Sequence, residues 1–221
     1  MCTEAGGMYI YLIRHGETGH NRDRRYQGQI DVPLSGEGKA GLMRAGFEPG
    51  IVYVSGLVRT LQTAELLFPD AEYRSVPGLN EMDFGVFDGR SAVELEKDIA
   101  YREWVDNNCE SACPGGEDMA GFIKRVSAAF EEVIGECLLQ KRKEAVIVTH
   151  GGTIMALASA FARPERGFYD WITGNAAGYL FEYEPSGGER SLRFIRSVNY
   201  NREQALAVDS RSDRGGETDQ A

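Results

Sequence analysis

Residues 8–18 read MYIYLIRHGET, and this stretch decides which class of fold the sequence predicts. Its first six residues form a nearly continuous apolar run, which is typical of a strand buried on both faces of a sheet. The run ends at Arg14 and His15, followed by a glycine. A second apolar run at 145–148 ends in a similar way, in a threonine and His150 followed by two glycines. The sequence therefore predicts two buried strands that each carry a histidine beyond the carboxyl end.

Apolar runs and helical patterns alternate between these two strands and beyond them. Short apolar or extended patterns predict four further strands, at residues 51–54, 72–75, 178–183 and 192–198. Helical spacing and start and stop signals predict helices at residues 35–47, 57–68, 91–108, 118–139 and 152–161. Strands separated by helices indicate an α/β protein, a three-layer α/β/α sandwich with a largely parallel central sheet.

Composition limits the classes of function. The chain has 221 residues, 42% of them hydrophobic and 26% charged, which are ordinary values for a globular protein. A formal net charge of −10 argues against general binding to nucleic acid or to an anionic membrane. No stretch approaches the ~20 apolar residues of a membrane helix, and residues 1–7 lack the pattern of a secretory signal. A cytoplasmic protein is the resulting expectation.

We expect one domain over residues 1–200. Residues 201–221 are rich in Arg, Glu, Asp, Ser and Gly and poor in large apolar residues. Such a composition is typical of a disordered or loosely attached tail.

The predicted sheet brings cationic and imidazole groups to one edge. In open α/β sheets, ligands bind beyond the carboxyl ends of the strands. His15 and His150 follow two such strands, and Arg14 precedes the first histidine directly. A third strand runs into a predicted helix whose first turn contains Arg59. Because a guanidinium group matches a phosphoryl group bidentately, this cluster predicts a pocket for a phosphorylated ligand. A structural role for each histidine, or a salt bridge for each arginine, is the alternative.

The order of these motifs resembles the histidine phosphatase superfamily, the phosphoglycerate mutase-like group with an Arg-His-Gly signature. The resemblance covers residues 8–200. It rests on RHGET at 14–18, QTA at 62–64, LNEMDFG at 79–85, PGGE at 114–117 and THGG at 149–152, all in the family's order.

The resemblance implies a role for each matching residue. His15 would attack phosphorus and become a phosphohistidine, a role that suits a neutral imidazole near pH 7. Arg14, Arg59 and His150 would hold the phosphoryl oxygens and stabilise the charge that develops on them. If these groups supply that stabilisation, neither a metal ion nor another cofactor is required, and we expect none.

The resemblance also implies an acid and several binding positions. Glu81 occupies the family's acid position, where it would protonate the leaving alkoxide and then deprotonate water. Asp83 is the second candidate for that acid. The positions expected to bind substrate are Asn21, Gln27, Gly28, Thr18 and Gly151. Thr18 is also expected to shape its loop.

The same pocket could support hydrolysis or phosphoryl transfer between hydroxyl groups. Family mutases typically have a longer chain and basic residues beside the acid, whereas here Met82 and Asp83 follow Glu81. We therefore expect a metal-independent phosphomonoesterase that acts on a small phosphorylated metabolite. A cofactor-dependent phosphoglycerate mutase-type phosphotransferase and a non-catalytic phospholigand-binding protein are the alternatives. The sequence contains no zinc-binding motif that would support a zinc hydrolase. Residues 84–121 are expected to form a helical lid over the pocket. Trp104, Tyr101 and Phe87 are candidates to line it, although core packing is the expected role of each.

Overall fold

The structure is a computed structural model that describes residues 7–186 and 189–202. In these ranges the strands are β1 Met8–Arg14, β2 Ile51–Val54, β3 Glu72–Ser75, β4 Glu144–Thr149, β5 Ala162–Arg163, β6 Ala177–Ser186 and β7 Glu189–Asn199. The α-helices are α1 Gly19–Arg22, α2 Gly36–Ala40, α3 Val58–Leu67, α4 Ala92–Leu95, α5 Ile99–Asp106, α6 Met119–Leu139 and α7 Gly151–Phe161. Short 3-10 helices cover Pro77–Leu79, Gly85–Phe87 and Phe168–Trp171. Within the same ranges no helix has the length and apolar character needed to span a membrane.

All seven strands lie in one sheet, in the order β3-β2-β4-β1-β6-β7-β5. The strands β3, β2, β4 and β1 are parallel to one another. The strand β6 is antiparallel to both β1 and β7, and the two-residue strand β5 is parallel to β7. The predicted α/β fold with a largely parallel central sheet is confirmed.

The two faces of the sheet belong to separate hydrophobic clusters. Leu12 and Ile147 point to the face that packs against α6 and α7, whereas Ile13 and Val148 point to the face that packs against α3. Because successive residues of a strand face opposite sides, strands buried on both faces must be apolar at every position. The uninterrupted apolar runs of β1 and β4 follow from this requirement.

The predicted helix at residues 35–47 is much shorter in the structure. Ser35 is its N-cap, as expected, and its Oγ accepts a hydrogen bond from the Gly38 N–H. Beyond α2, the Met43 N–H donates to the carbonyl of Tyr200 and the Ala45 N–H to that of Leu67. These backbone donors bond to distant segments instead of continuing the helix.

The predicted helix at residues 91–108 is divided into α4 and α5. Asp98 separates them, because its carboxylate accepts hydrogen bonds from the N–H groups of Ala100 and Tyr101 and caps the start of α5. An acidic side chain at this position starts a new helix more favourably than it continues the preceding one. The two helices lie in the segment that is expected to form a lid.

The strands predicted near the carboxyl end are present and longer than expected. They form the antiparallel pair β6 and β7, and residues 187–188 between them lie outside the described residues. The predicted tail at 201–221 also lies outside them from residue 203 onward. At its start, the Arg202 N–H donates to the Gly41 carbonyl at 2.9 Å.

Replacing Leu12 by alanine tests the packing of the central strand. Leu12 is fully buried in β1, so we expect Leu12→Ala to lower the free energy of unfolding by about 2–5 kcal/mol. Leu139→Ala is the matched control, because the Leu139 side chain is 85% exposed at the end of α6. Denaturant unfolding of both variants measures the difference. Equal losses would contradict the packing that we describe.

Candidate functional site

The carboxyl ends of three neighbouring strands carry the residues of the candidate site. His15 follows β1, His150 follows β4 and Ser55 follows β2, and these strands are adjacent in the sheet. The backbone N–H of His15 donates to the Thr149 carbonyl at 2.9 Å, which extends the parallel pairing of β1 and β4 by one residue. The two imidazole rings therefore lie side by side, with their centroids 5.3 Å apart.

One hydrogen bond fixes the orientation of the His15 ring. Its Nδ1 lies 2.7 Å from the Gly16 carbonyl oxygen. A carbonyl can only accept, so Nδ1 carries the proton and the neutral ring has its lone pair on Nε2. Burial and the guanidinium groups of Arg59 and Arg14 hold the pKa of His15 well below its ordinary value near 6.5. His15 is therefore a neutral imidazole with a free lone pair at neutral pH.

His150 is held in a hydrogen-bonded chain that runs into the start of α3. Its Nδ1 accepts from the Arg59 Nε at 3.3 Å, so its Nε2 donates to the Ser55 Oγ at 2.8 Å. The Ser55 hydroxyl lies 3.0 Å from the Thr60 Oγ1, which donates to the Leu57 carbonyl. Burial and the Arg59 charge hold the pKa of His150 well below its ordinary value.

Arg59 is fully buried, and its hydrogen bonds go to uncharged groups. Besides the His150 ring, it donates to the carbonyl oxygens of Ile30, Gly28 and Gln27 at 2.9, 2.8 and 3.3 Å. Burial lowers the pKa of Arg59 to about 10, so it remains cationic at neutral pH. Its positive charge is held in place by backbone dipoles and is not cancelled by a directly bonded carboxylate.

Two buried donors near these groups have no hydrogen-bond partner. Arg14 donates from one terminal nitrogen to the Thr173 carbonyl at 2.8 Å, but its Nε is unpaired. The Gln27 Nε2 is also buried and unpaired, while its Oε1 accepts from the Thr18 hydroxyl. Buried donors in proteins are normally satisfied, so each unpaired one requires an explanation. An anion bound beside the two arginines would accept such donors.

Glu81 is buried and lines the same cavity as Arg14. Its Oε2 accepts from the Gly152 N–H at 2.8 Å and its Oε1 accepts from the Met82 N–H at 3.0 Å. Burial raises the pKa of Glu81, although these two hydrogen bonds and the charges of Arg59 and Arg14 oppose the rise. A carboxyl group with a raised pKa can donate a proton nearer to neutrality than an exposed one.

The loop that carries Glu81 is held in place by Arg125, which forms an ion pair with Glu117. Arg125 of α6 donates to the carbonyl oxygens of Gly78, Asn80 and Glu81, and it pairs with Glu117. Glu117 also accepts from the Asp83 N–H at 2.9 Å. The loop backbone is therefore bound at several points. These bonds fix the position of the Glu81 backbone, from which the side chain extends.

Asp83, the second candidate acid, faces another environment. Its Oδ1 accepts from the Gly85 N–H at 2.9 Å. It lines a polar surface pocket together with Glu117 and Arg125 and is absent from the lining of the cavity next to Glu81. The geometry favours Glu81 over Asp83 as the acid.

The first loop is organised by Thr18 and Asn21. Thr18 is the N-cap of α1, and its hydroxyl accepts from the Asn21 N–H. The Asn21 Oδ1 accepts from the Thr18 N–H at 3.1 Å and from the Asn175 Nδ2 at 3.1 Å, which fixes the orientation of its amide. Thr18 is fully buried, so its observed contacts are those of a loop-shaping residue. Whether Thr18 and Asn21 contact a substrate is still a prediction.

The glycines predicted to bind substrate lie where the backbone is tightly packed. A Cβ on Gly28 would lie 2.2 Å from the Met82 carbonyl oxygen, so the first loop and the acid loop touch there. A Cβ on Gly151 would lie 3.4 Å from the Arg14 Nε, at the start of α7. Both glycines allow neighbouring groups of the site to approach closely.

Sequence reasoning did not single out several residues that organise the site. The Asn175 Nδ2 lies within hydrogen-bond distance of the carbonyl oxygens of His15 and Gly16, at 3.1 and 3.3 Å. The Gly152 N–H binds Glu81, and Ser55 binds His150. The second glycine of the THGG motif was an available signal for Gly152. Asn175 carries no comparable signal, because its partners lie about 160 positions away in the chain.

A cavity of about 420 Å³ opens from the Arg14 and Glu81 side of the site. Trp104, one of the candidates from the lid segment, lines it and is also packed in the core, which was its expected role. Phe87 and Tyr101 from the same segment are buried in the core instead. Most of the lining is aromatic or aliphatic, so the site has a cationic end and an apolar end.

The sequence and the fold together identify the class of protein. Residues 10–195 match the family model described as histidine phosphatase superfamily (branch 1). The chain therefore belongs to the histidine phosphatase superfamily, as the motif order predicted.

The similar proteins include both phosphatases and mutases. The protein named Probable phosphoglycerate mutase GpmB from Salmonella paratyphi B is 35% identical over 164 residues, which are 69% of this chain and 74% of that protein. The structure of the alpha-ribazole phosphatase from Shigella flexneri has a TM-score of 0.69 at 25% identity and covers 85% of this chain and 96% of its own. The structure of phosphoglycerate mutase from Thermus thermophilus has a TM-score of 0.64 at 30% identity, with coverages of 86% and 98%.

Replacing Gly152 by alanine tests how Glu81 is held. A Cβ on Gly152 would lie 2.3 Å from the Glu81 Oε1, so the buried carboxyl group would have to move from its backbone donor. We expect Gly152→Ala to lower the free energy of unfolding by about 1–3 kcal/mol. Gly135→Ala is the control, since a Cβ there has no neighbour within 4 Å and should stabilise α6 by about 0.5–1 kcal/mol. Denaturant unfolding at pH 7 compares them, and a stabilised Gly152→Ala protein would refute the contact.

Proposed function

We propose that this protein is a metal-independent phosphomonoesterase that acts through a phosphohistidine on a small phosphorylated molecule. The observation that supports this most directly is the geometry of His15. Its Nδ1 proton is committed to the Gly16 carbonyl, which leaves the Nε2 lone pair available beside two guanidinium groups. The unpaired donors of Arg14 and Gln27 supply further sites for phosphoryl oxygens.

In the first step, the His15 Nε2 forms a bond to phosphorus as the bond between phosphorus and the ester oxygen breaks. The leaving oxygen takes the proton of the Glu81 carboxyl group and departs as an alcohol. The charges of Arg14 and Arg59 stabilise the equatorial oxygens during the transfer, whereas the neutral His150, whose Nε2 proton is donated to Ser55, orients Arg59. The raised pKa of Glu81 and the lowered pKa of His15 favour the protonation states that this step requires.

In the second step, water replaces the alcohol. The Glu81 carboxylate accepts a proton from water as its oxygen bonds to phosphorus, and the bond between phosphorus and the His15 Nε2 breaks. Inorganic phosphate leaves, and both residues return to their starting states. Transfer to a second hydroxyl group in place of water would make the enzyme a mutase.

The surroundings of Glu81 favour hydrolysis over mutase chemistry in this proposal. Met82 and Asp83 stand where family mutases carry basic or polar residues, and Met82 is buried in the wall of the cavity. An apolar wall gives no counter-charge to a second phosphate on a bisphosphorylated cofactor. Because some of the similar proteins are named as mutases, phosphoryl transfer to a second hydroxyl group is the alternative to be tested.

Removal of the nucleophile gives the first test of this function. We expect His15→Ala to release phosphate from phosphomonoesters at least ~10⁴-fold more slowly than the wild type, because no other group can form the phosphoryl-enzyme intermediate. Phosphate release is measured with a chelator present. Activity of the variant within tenfold of the wild type would rule out His15 as the nucleophile.

Three further outcomes of these experiments would distinguish the alternative functions. Isomerisation that appears only when phosphoglycerate and its bisphosphate are supplied would identify a mutase. Tight binding of inorganic phosphate with neither activity would identify a phospholigand-binding protein. Activity that is lost with the chelator and restored by zinc would contradict the metal-independent mechanism.

Replacing Glu81 by glutamine tests the acid. An amide cannot supply a proton, so we expect Glu81→Gln to lower kcat/KM, which reports the step that releases the alcohol, about 10²–10⁴-fold for alkyl phosphates and much less for 4-nitrophenyl phosphate. In the wild type, alkyl ester hydrolysis should decline on the basic side as Glu81 loses its proton, and this decline should be absent from Glu81→Gln. Steady-state kinetics from pH 4 to 9 measures both effects. Equal losses on the two kinds of ester would point to a different acid, with Asp83→Asn as the next variant.

A further inference from the structure

The cavity next to the phosphoryl site is lined almost entirely by uncharged side chains. Apart from Arg14 and Glu81, no charged side chain lines it in the described part of the chain. Its wall is built mainly from aromatic residues and methionines, among them Tyr26, Phe84, Trp104, Phe168 and Met155. A charged group moved from water into such surroundings would lose its hydration without gaining a partner.

From this lining we infer that the substrate is a phosphomonoester of an uncharged, apolar alcohol that carries a ring. The inference rests on the proposed phosphatase function and specifies the class of leaving group. In that function Arg14 binds the phosphoryl group and Glu81 exchanges the proton. Neither charge is then free to neutralise a second phosphate or a carboxylate on the substrate.

The shape of the wall favours a ring over a simple alkyl chain. Tyr26 lies 5.2 Å from Phe84 and 5.8 Å from Trp104, measured between ring centroids, and these rings are tilted or edge-to-face. Rings in such a cluster present both edges and faces to a bound ring. The methionines add flexible thioethers, which make favourable contacts with aromatic groups and adapt to irregular shapes. A cavity of about 420 Å³ has room for a ring-sized group.

Part of the cavity lining is exposed to solvent. Tyr169 and Ile172 line it and are 59% and 63% exposed. Thr173, the next residue, accepts the Arg14 hydrogen bond through its carbonyl. A substitution at Ile172 can therefore change the polarity of the cavity near Arg14 without disturbing the buried core.

Three esters of primary alcohols test the inference, because their leaving groups are chemically similar and differ in what they carry. They are 2-phenylethyl phosphate, propyl phosphate and 3-phosphoglycerate. We expect kcat/KM for 2-phenylethyl phosphate to exceed that for propyl phosphate by about 10–100-fold, since the ring buries additional apolar surface. The value for 3-phosphoglycerate should be the lowest of the three. Equal values, or a preference for 3-phosphoglycerate, would overturn the inference while leaving the phosphatase function in place.

A new cation in the cavity should change this ranking. We expect Ile172→Lys to lower the ratio of kcat/KM for 2-phenylethyl phosphate to that for 3-phosphoglycerate at least tenfold. Leu139→Lys is the matched control, because Leu139 is 85% exposed on α6 and does not line the cavity. Its ratio should equal that of the wild type. A ratio in Ile172→Lys that matches the control would also count against the inference.

A binding measurement separates failure of the inference from failure of the proposed function. The stable analogues 2-phenylethylphosphonate and 2-carboxyethylphosphonate carry the same phosphonate group with an aromatic or an anionic substituent. We expect the aromatic analogue to bind at least tenfold more tightly to the wild type, with inorganic phosphate displacing it. This preference without hydrolysis of any ester would refute the phosphatase function but support the ligand class. No preference would refute the ligand class whatever the activity.

Discussion

The burial of one arginine constrains the rest of the site. Arg59 has no exposed surface, and a buried guanidinium group is costly unless its donors are satisfied. Its donors are satisfied by the carbonyl oxygens of the first loop and by the His150 ring. The first loop must therefore close over α3, and His150 must keep its Nδ1 unprotonated. Since carbonyl groups carry no net charge, the positive charge of Arg59 remains available to an anion.

This arrangement explains how an acidic protein maintains a cationic pocket. The chain has a net charge of −10, yet no carboxylate is paired directly with Arg59 or Arg14 in the described residues. The same positive charge, together with burial, keeps both histidines neutral. For Glu81 the effects oppose one another, and burial outweighs the attraction of the arginines. Burial thus moves His15 and Glu81 toward the protonation states that the proposed mechanism requires.

The sequence predicts most clearly what depends on local pattern. The apolar runs of β1 and β4, each followed by a histidine and a glycine, placed His15 and His150 at one edge of the sheet. The break at Asp98 was missed, since the helical pattern continues across it and only the geometry shows the carboxylate capping α5. Asn175 was missed for a different reason. Its hydrogen bonds join segments that are distant in the chain, and no spacing within one segment encodes them.

The position of β1 in the middle of the sheet has a consequence for how the protein is made. This strand is synthesised well before its neighbours in the sheet, β4 and β6. The Arg14 hydrogen bond to Thr173 spans 159 positions. At about 5–20 residues per second, translation of that interval takes on the order of ten seconds. Throughout this time β1 lacks both of the strands that pair with it in the folded protein.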